Sequence, residues 1–319
     1  MGFPLVPLNN CGDIATYAQA GAREMYAGFY DTAWEEAFGL GVDLNRMSGF
    51  GNRANSLDFQ GLLQTAATVK AQGCDFYVTF NAASYPAGVE PWLRQYFTLL
   101  AWAGADGVIL SGPEFIELAH ECGLCAVAST MCGIYNVDIA NLYAQWGIDR
   151  MILPRDLSLE ELRNIIAANP QLEYEVFLMR NGCVYSDSHC LGVHGMSCGA
   201  LCGELRESER SLSSRLPTEK VLGTGNLHRD IFHKYACGLC AIWDLEQMGA
   251  SAYKVVGRSD DSDAIAEDVS LVARNIAIAQ ECSSREEYLE RMVRNPYEHI
   301  VCDRGLNCYY PELFPERCG

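Results

Sequence analysis

Short apolar runs alternate with amphipathic stretches along most of the chain. The runs are FPLVPL at 3–8, REMYAGF at 23–29, DFYVTFNA at 75–82, GVILSG at 107–112, LCAVAST at 124–130, RMILP at 150–154, LEYEVFLM at 172–179 and AYKVVG at 252–257. Most are continuously apolar rather than alternating in polarity, which is the pattern of strands covered on both faces. Helical periodicity follows most of them. Ile14, Tyr17 and Ala18 share one face over 13–21, and Ile265, Val269, Val272 and Ile276 form one stripe over 262–280. A helix over 158–168 opens on Ser158 and Glu161, the S-x-x-E spacing of a capping box. Eight strand–helix units predict an α/β chain folded as a (β/α)8 TIM-like barrel, with a doubly wound open sheet as the competing architecture.

The barrel and its catalytic apparatus are expected over 1–282. Residues 283–319 are expected to form a charged helix (SSREEYLERMVRN) and an irregular, Cys-bearing tail packed on the barrel. The polar stretch 203–230 reads as a long insertion over the barrel mouth, in the manner of a lid. Active sites of such barrels gather on the loops after the strands. The polar residues there are Arg53, Asn81, Ser111, Ser129, Arg155, Arg180 and Arg258.

The loop after the seventh strand, MRNGCVYSDSHCLGVHGMSCGALCGE, carries Cys183, Cys190, Cys198 and Cys202 at C-x6-C-x7-C-x3-C spacing. Four thiolates in one Gly-rich loop make a complete ligand set for an iron–sulfur cluster or a zinc ion. Cys237 and Cys240 form a C-x2-C ahead of the eighth strand, and Cys302 and Cys308 follow in the tail. Cys237, Cys240, Cys302 and Cys308 are a candidate second metal site, against the plainer reading of reduced or buried thiols. His189 and His194 flank the cluster cysteines, and His189 is a candidate proton donor.

Composition then narrows the setting. The first residues, MGFPLVPLNN, lack the charged and apolar regions of a signal peptide, and no apolar run is long enough to span a membrane. The 15 cysteines are therefore read as reduced or metal-bound thiols in a cytoplasmic, anaerobic setting rather than as a disulfide framework. A net charge of −18 without a basic run argues against nucleic acid as a partner, because that affinity comes mostly from neutralising phosphates. Neither G-x-S-x-G, HExxH nor a Walker A loop occurs, so hydrolytic machinery has no support in the motifs.

The chain resembles the collagenase-like peptidase family U32. Its block EVFLMRNGCVYSDSHC is similar to the family signature E-x-F-x-H-G-x-x-C-x-x-Y-S-x-x-C, with Glu175, Phe177, Cys183 and Cys190 in register and Tyr185 and Ser186 one residue early. Cys198 and Cys202 match its following C-x3-C pair. SAYKVVGRSDD resembles the family's KIEGR block at Lys254, Gly257 and Arg258. Met179 and Arg180 replace the His–Gly pair of the signature, and Val256 replaces the acid of KIEGR.

The resemblance implies a 4Fe–4S cluster on Cys183, Cys190, Cys198 and Cys202. It also implies an iron–sulfur-dependent, oxygen-independent hydroxylase or related oxidoreductase acting on a small molecule or peptide, with prephenate as oxygen donor. Arg155, Arg180 and Arg258 are the candidate grips for the donor's carboxylates, since a guanidinium fork matches a carboxylate. The alternatives are a peptidase of the same family and a non-catalytic, cluster-bearing partner subunit. Homo- and hetero-oligomers both stay open.

Overall fold

The computed structural model describes residues 1–39, 42–48, 54–183, 186–188, 194–195, 199–200, 232, 234–258, 260–295, 302 and 305–313. Eight parallel strands close a barrel: β1 (Phe3–Pro7), β2 (Glu24–Ala27), β3 (Asp75–Phe80), β4 (Gly107–Leu110), β5 (Cys125–Ala128), β6 (Arg150–Ile152), β7 (Glu173–Met179) and β8 (Ala252–Val255). Each pairs with its sequence neighbour, and β8 closes on β1 in the register Pro4 with Tyr253. The TIM-like expectation holds, strand for strand. A separate two-residue ladder pairs His194–Gly195 with Gly199–Ala200.

Helices return the chain outside the strands. They are α1 (Ile14–Ala20), α2 (Thr32–Phe38), α3 (Phe59–Ala71), α4 (Glu90–Ala103), α5 (Ile116–Glu121), α6 (Val137–Gln145), α7 (Leu159–Ala168), α8 (Ile242–Met248), α9 (Ser262–Glu281) and α10 (Arg285–Arg291). Side-chain caps fix several starts, among them Asp58 on Gly61, Asn136 on Ile139 and Asp261 on Ala264. The Ser158–Glu161 capping box forms in both directions. Among the described residues two helices, α2 and α3, separate β2 from β3. No helix among the described residues is long and apolar enough to cross a membrane.

The N-terminal end of the barrel is closed by charge. Arg150, at the start of β6, reaches across the interior to Glu24 Oε1 at 2.7 Å and holds Glu173 Oε2 at 2.8 Å from Nε. Its guanidinium lies 4.8 Å from the centre of the Tyr77 ring. A buried arginine needs this much compensation, because an unpaired buried charge is expensive. The loops at the opposite, C-terminal end of the strands carry the candidate site residues.

Beyond α10, whose Tyr288 is fully buried, the described part of the tail returns to the barrel. Tyr309 donates to the Arg180 carbonyl at 2.6 Å and Tyr310 to the Phe177 carbonyl at 3.2 Å. These hydroxyls place the tail beside the C-terminal end of β7.

Candidate active site

Three arginines converge on the C-terminal end of the barrel, and their partners differ. Arg258 follows β8, after a turn at Gly257 with φ +123°. Its Nη1 donates to Asn55 Oδ1 at 3.2 Å, and its guanidinium lies 5.4 Å from the centre of the Tyr26 ring. Among the described residues it has no carboxylate within ion-pair distance. Burial draws it below its ordinary range; Tyr26 opposes this, and the like charge of Arg46 adds to it. Gly28 makes room for the group. A Cβ there would stand 2.1 Å from Asn55 Oδ1 and 2.6 Å from Arg258 Nη1.

Arg46 and Arg155 share one acid. Arg46 Nη1 donates to Asp187 Oδ1 at 3.0 Å, and Arg155 Nε to Asp187 Oδ2 at 2.7 Å. Arg155 also donates to the Asn181 carbonyl and stacks 4.0 Å from the centre of the Phe177 ring. Asp187 is fully buried. Burial alone would raise its pKa, but the charges and hydrogen bonds of Arg155 and Arg46 prevail and hold it below the usual carboxylate range. Two guanidinium groups thus share one carboxylate and a third has none. The described part of the mouth carries positive charge in a chain whose net charge is −18.

Arg180 is engaged elsewhere. It pairs with Asp268, lies 3.7 Å from Asp260 Oδ2 and donates to the Ala264 carbonyl at 3.2 Å, all on or beside α9. Its φ is +64°, and that of Asn181 is +44°, so the chain turns sharply as it leaves β7. Polar groups from other strand ends line the mouth. Asn81 donates to Ser129 Oγ at 3.1 Å and accepts from the Arg46 amide at 3.2 Å.

Of the four loop cysteines, Cys183 lies among the described residues. It is half-buried and lies two residues after Asn181, whose carbonyl accepts from Arg155. Cys190, Cys198, Cys202 and His189 lie outside the described residues, as do Arg53 and the expected lid over 203–230. A thiol at the mouth, beside a cation and at the start of the cysteine loop, is a fitting first ligand for a thiolate-held cluster. Cys237, Cys240, Cys302 and Cys308 line one cavity beside the end of β7.

Sequence reasoning had marked Asn81, Ser129, Arg155, Arg180 and Arg258 but missed Arg46, Asn55 and Asp187. Arg46 and Asn55 lie in the long β2–β3 connection, and Asp187 lies in the cysteine loop. Their only signal was charge or polarity in long loops of a barrel.

The sequence signature of peptidase family U32 matches residues 10–311. The chain belongs to peptidase family U32. Among its U32 relatives, the tRNA hydroxylation protein P of Escherichia coli K12 is 29% identical over 141 residues, covering 44% of this chain and 31% of that protein. A 23S rRNA 5-hydroxycytidine synthase of the same organism is 27% identical over 47% of this chain and 22% of its own length. A Methanocaldococcus jannaschii protein named as an uncharacterized protease is 25% identical over 66% of this chain and 54% of its own. The chain therefore spans from about a fifth to about half of these relatives. The solved structure of the U32 peptidase Mk0906 shares the fold at a TM-score of 0.50 and 14% identity, covering 81% of this chain and 93% of that one. The relatives' names leave the expectation against nucleic acid without support.

Proposed function

We propose that this U32 protein is an iron–sulfur-dependent, oxygen-independent hydroxylase whose barrel mouth binds a carboxylate-bearing oxygen donor such as prephenate. The observation that carries the reading is Arg258: a guanidinium in the mouth, beside Arg46, with no acid of its own among the described residues. An anion entering there gains charge-assisted hydrogen bonds and relieves the repulsion between the two arginines. Asn55 and Tyr26 hold the fork in place. Asp187 fixes Arg46 and Arg155, leaving Arg258 as the group available to a ligand. Cys183, with Cys190, Cys198 and Cys202, would hold the cluster, which when bound supplies one-electron redox chemistry at the mouth.

The acceptor is read as a small molecule or peptide, from the charge of −18. The relatives named for tRNA and rRNA hydroxylation favour a second reading, in which the acceptor is RNA. Under that reading the positive mouth would receive a phosphate, and binding would weaken steeply with salt. The peptidase reading lacks a recognisable nucleophile or metal motif.

The test is anaerobic purification followed by iron and sulfide analysis and calorimetry with prephenate. Brown protein with roughly four iron and four sulfide per chain, and prephenate binding weakened about tenfold or more in Arg258→Lys, are expected. Iron-free protein, or equal binding by the wild type and by Arg258→Lys and Arg258→Ala, would overturn it. Salt-sensitive binding of tRNA in place of prephenate would select the RNA reading.

A further inference from the structure

The cysteines outside the mouth loop are brought together from two distant parts of the chain. Cys237 and Cys240 lie just before α8, Cys302 and Cys308 in the tail, and all four line one cavity with Leu289 and Met292. The backbone locks the two segments in register. The Cys237 amide donates to the Asn307 carbonyl at 2.7 Å, and the Tyr309 amide donates to the Cys237 carbonyl at 2.9 Å. Cys237 and Cys308 are thereby bridge partners, and Cys237 also bridges Met179 at the end of β7. Tyr288 Oη donates to the Leu239 carbonyl at 2.5 Å, fixing the turn between Cys237 and Cys240.

We propose that Cys237, Cys240, Cys302 and Cys308 form a second metal site, a tetrathiolate that takes zinc and staples the tail to the barrel.

The donor chemistry fits. C-x2-C is the chelating spacing of structural zinc sites, and such sites take their remaining ligands from a second segment. Four soft thiolates with no water ligand favour zinc or iron over magnesium or calcium. Leu239, Leu289 and Met292 give the cavity apolar walls, and Asn295 and Asn307 complete its lining. Zinc with four thiolates carries a net charge of −2, and Arg294 also lines the cavity, where its charge offsets this. Cys240 and Cys308 are hydrogen-bonded to each other across the two segments. The thiols release their protons as a cation binds between them. Among the described residues no three ligating side chains yet stand in the arrangement of a bound metal. Zinc–sulfur bonds of about 2.3 Å require the four sulfurs to draw together on binding.

The site bears on the mouth without belonging to it. Tyr309 follows Cys308 directly and holds the Arg180 carbonyl, at the root of the loop that carries Cys183. A stapled tail therefore supports the base of the cysteine loop.

The test uses the full chain, with iron, zinc and sulfide measured together in wild type, Cys302→Ser/Cys308→Ser and Cys183→Ser. Zinc near one per chain, lost in the tail variant and kept in Cys183→Ser, is expected. Loss of iron rather than zinc in the tail variant would assign these thiols to the mouth cluster and overturn a second site. Because the tail variant could fail to fold, a second measurement uses the wild type: alkylation of the metal-stripped protein, read cysteine by cysteine by mass spectrometry, with and without added zinc. At least tenfold slower labelling of all four cysteines with zinc is expected, as is thiolate-to-metal charge-transfer absorbance when cobalt(II) replaces zinc. Unchanged labelling, or a Cys240–Cys308 disulfide in place of metal, would overturn the proposal. The outcome is independent of whether the mouth is a hydroxylase, since the mouth reading rests on iron and Arg258 alone.

Discussion

Lys254 Nζ donates to Glu175 Oε1 at 2.5 Å across β8 and β7, with both side chains buried in the barrel. The ammonium also lies 3.7 Å from the centre of the Tyr26 ring, the ring that Arg258 faces at 5.4 Å. The acid of the E-x-F block and the lysine of the KIEGR block are therefore one ion pair, and it supports the ring beneath Arg258.

Breaking that pair from one side should be costly. Lys254→Met leaves Glu175 buried and uncompensated, and a loss of about 3–5 kcal/mol is expected. Lys254→Met/Glu175→Leu should recover much of it. Urea unfolding of the two variants and wild type measures the difference; a double variant no more stable than the single one would contradict this account.

Gly28→Ala should damage the anion site more than the fold. The new methyl collides with Asn55 Oδ1 and Arg258 Nη1, and both are side-chain ends that can shift. Prephenate affinity is expected to fall about tenfold, which corresponds to about 1.4 kcal/mol. Unfolding midpoints should move much less. Calorimetry and denaturation on the same preparation separate the two effects, and unchanged affinity would show that the fork tolerates displacement.

The acid limb of stability should depend on Asp187. Its folded pKa is lowered, so the unfolded chain binds a proton that the native state resists once pH falls below the ordinary Asp value of about 3.9. Stability contributed by the Arg46–Asp187–Arg155 group is then fully present above that value and lost as pH falls through the folded pKa. Asp187→Asn should be less stable at neutral pH, where it leaves two arginines short of a partner. It should also lose less on acidification. Urea midpoints followed from pH 5 to about pH 3 check this, and parallel slopes for the two proteins would refute it.

Arg180→Gly should be more stable than Arg180→Ala by about 1 kcal/mol, although neither keeps the ion pair. At φ +64° a residue with a Cβ is strained and glycine is not. Thermal unfolding of the two variants decides it, and equal stability would mean that the backbone relaxes once the guanidinium is gone.

The barrel was legible because parallel strands buried on both faces read as unbroken apolar runs, and β4 (GVIL) and β5 (CAVA) show it plainly. The capping box at Ser158 was legible because it is local. The mouth was legible only as a set of residue types. Arg155, Arg180 and Arg258 look alike in sequence, each just after a strand. Asp187 and Asp268 distinguish them, and those acids meet their arginines only when the barrel closes. Arg46 and Asp187 are 141 positions apart, so no short-range pattern marks the pair. The C-x2-C at Cys237 and the tail cysteines were visible as candidates, but their shared cavity depends on the tail's return to β7.

The turn at Arg180 has a mechanical consequence. The related signature places glycine at this position, where the backbone alone can set the exit from β7. Here the exit is held by a side chain clamped to Asp268 on α9, with the Arg180 carbonyl held in turn by Tyr309. Helix, tail and the root of the cysteine loop are thus tied together at a single residue, three positions before Cys183.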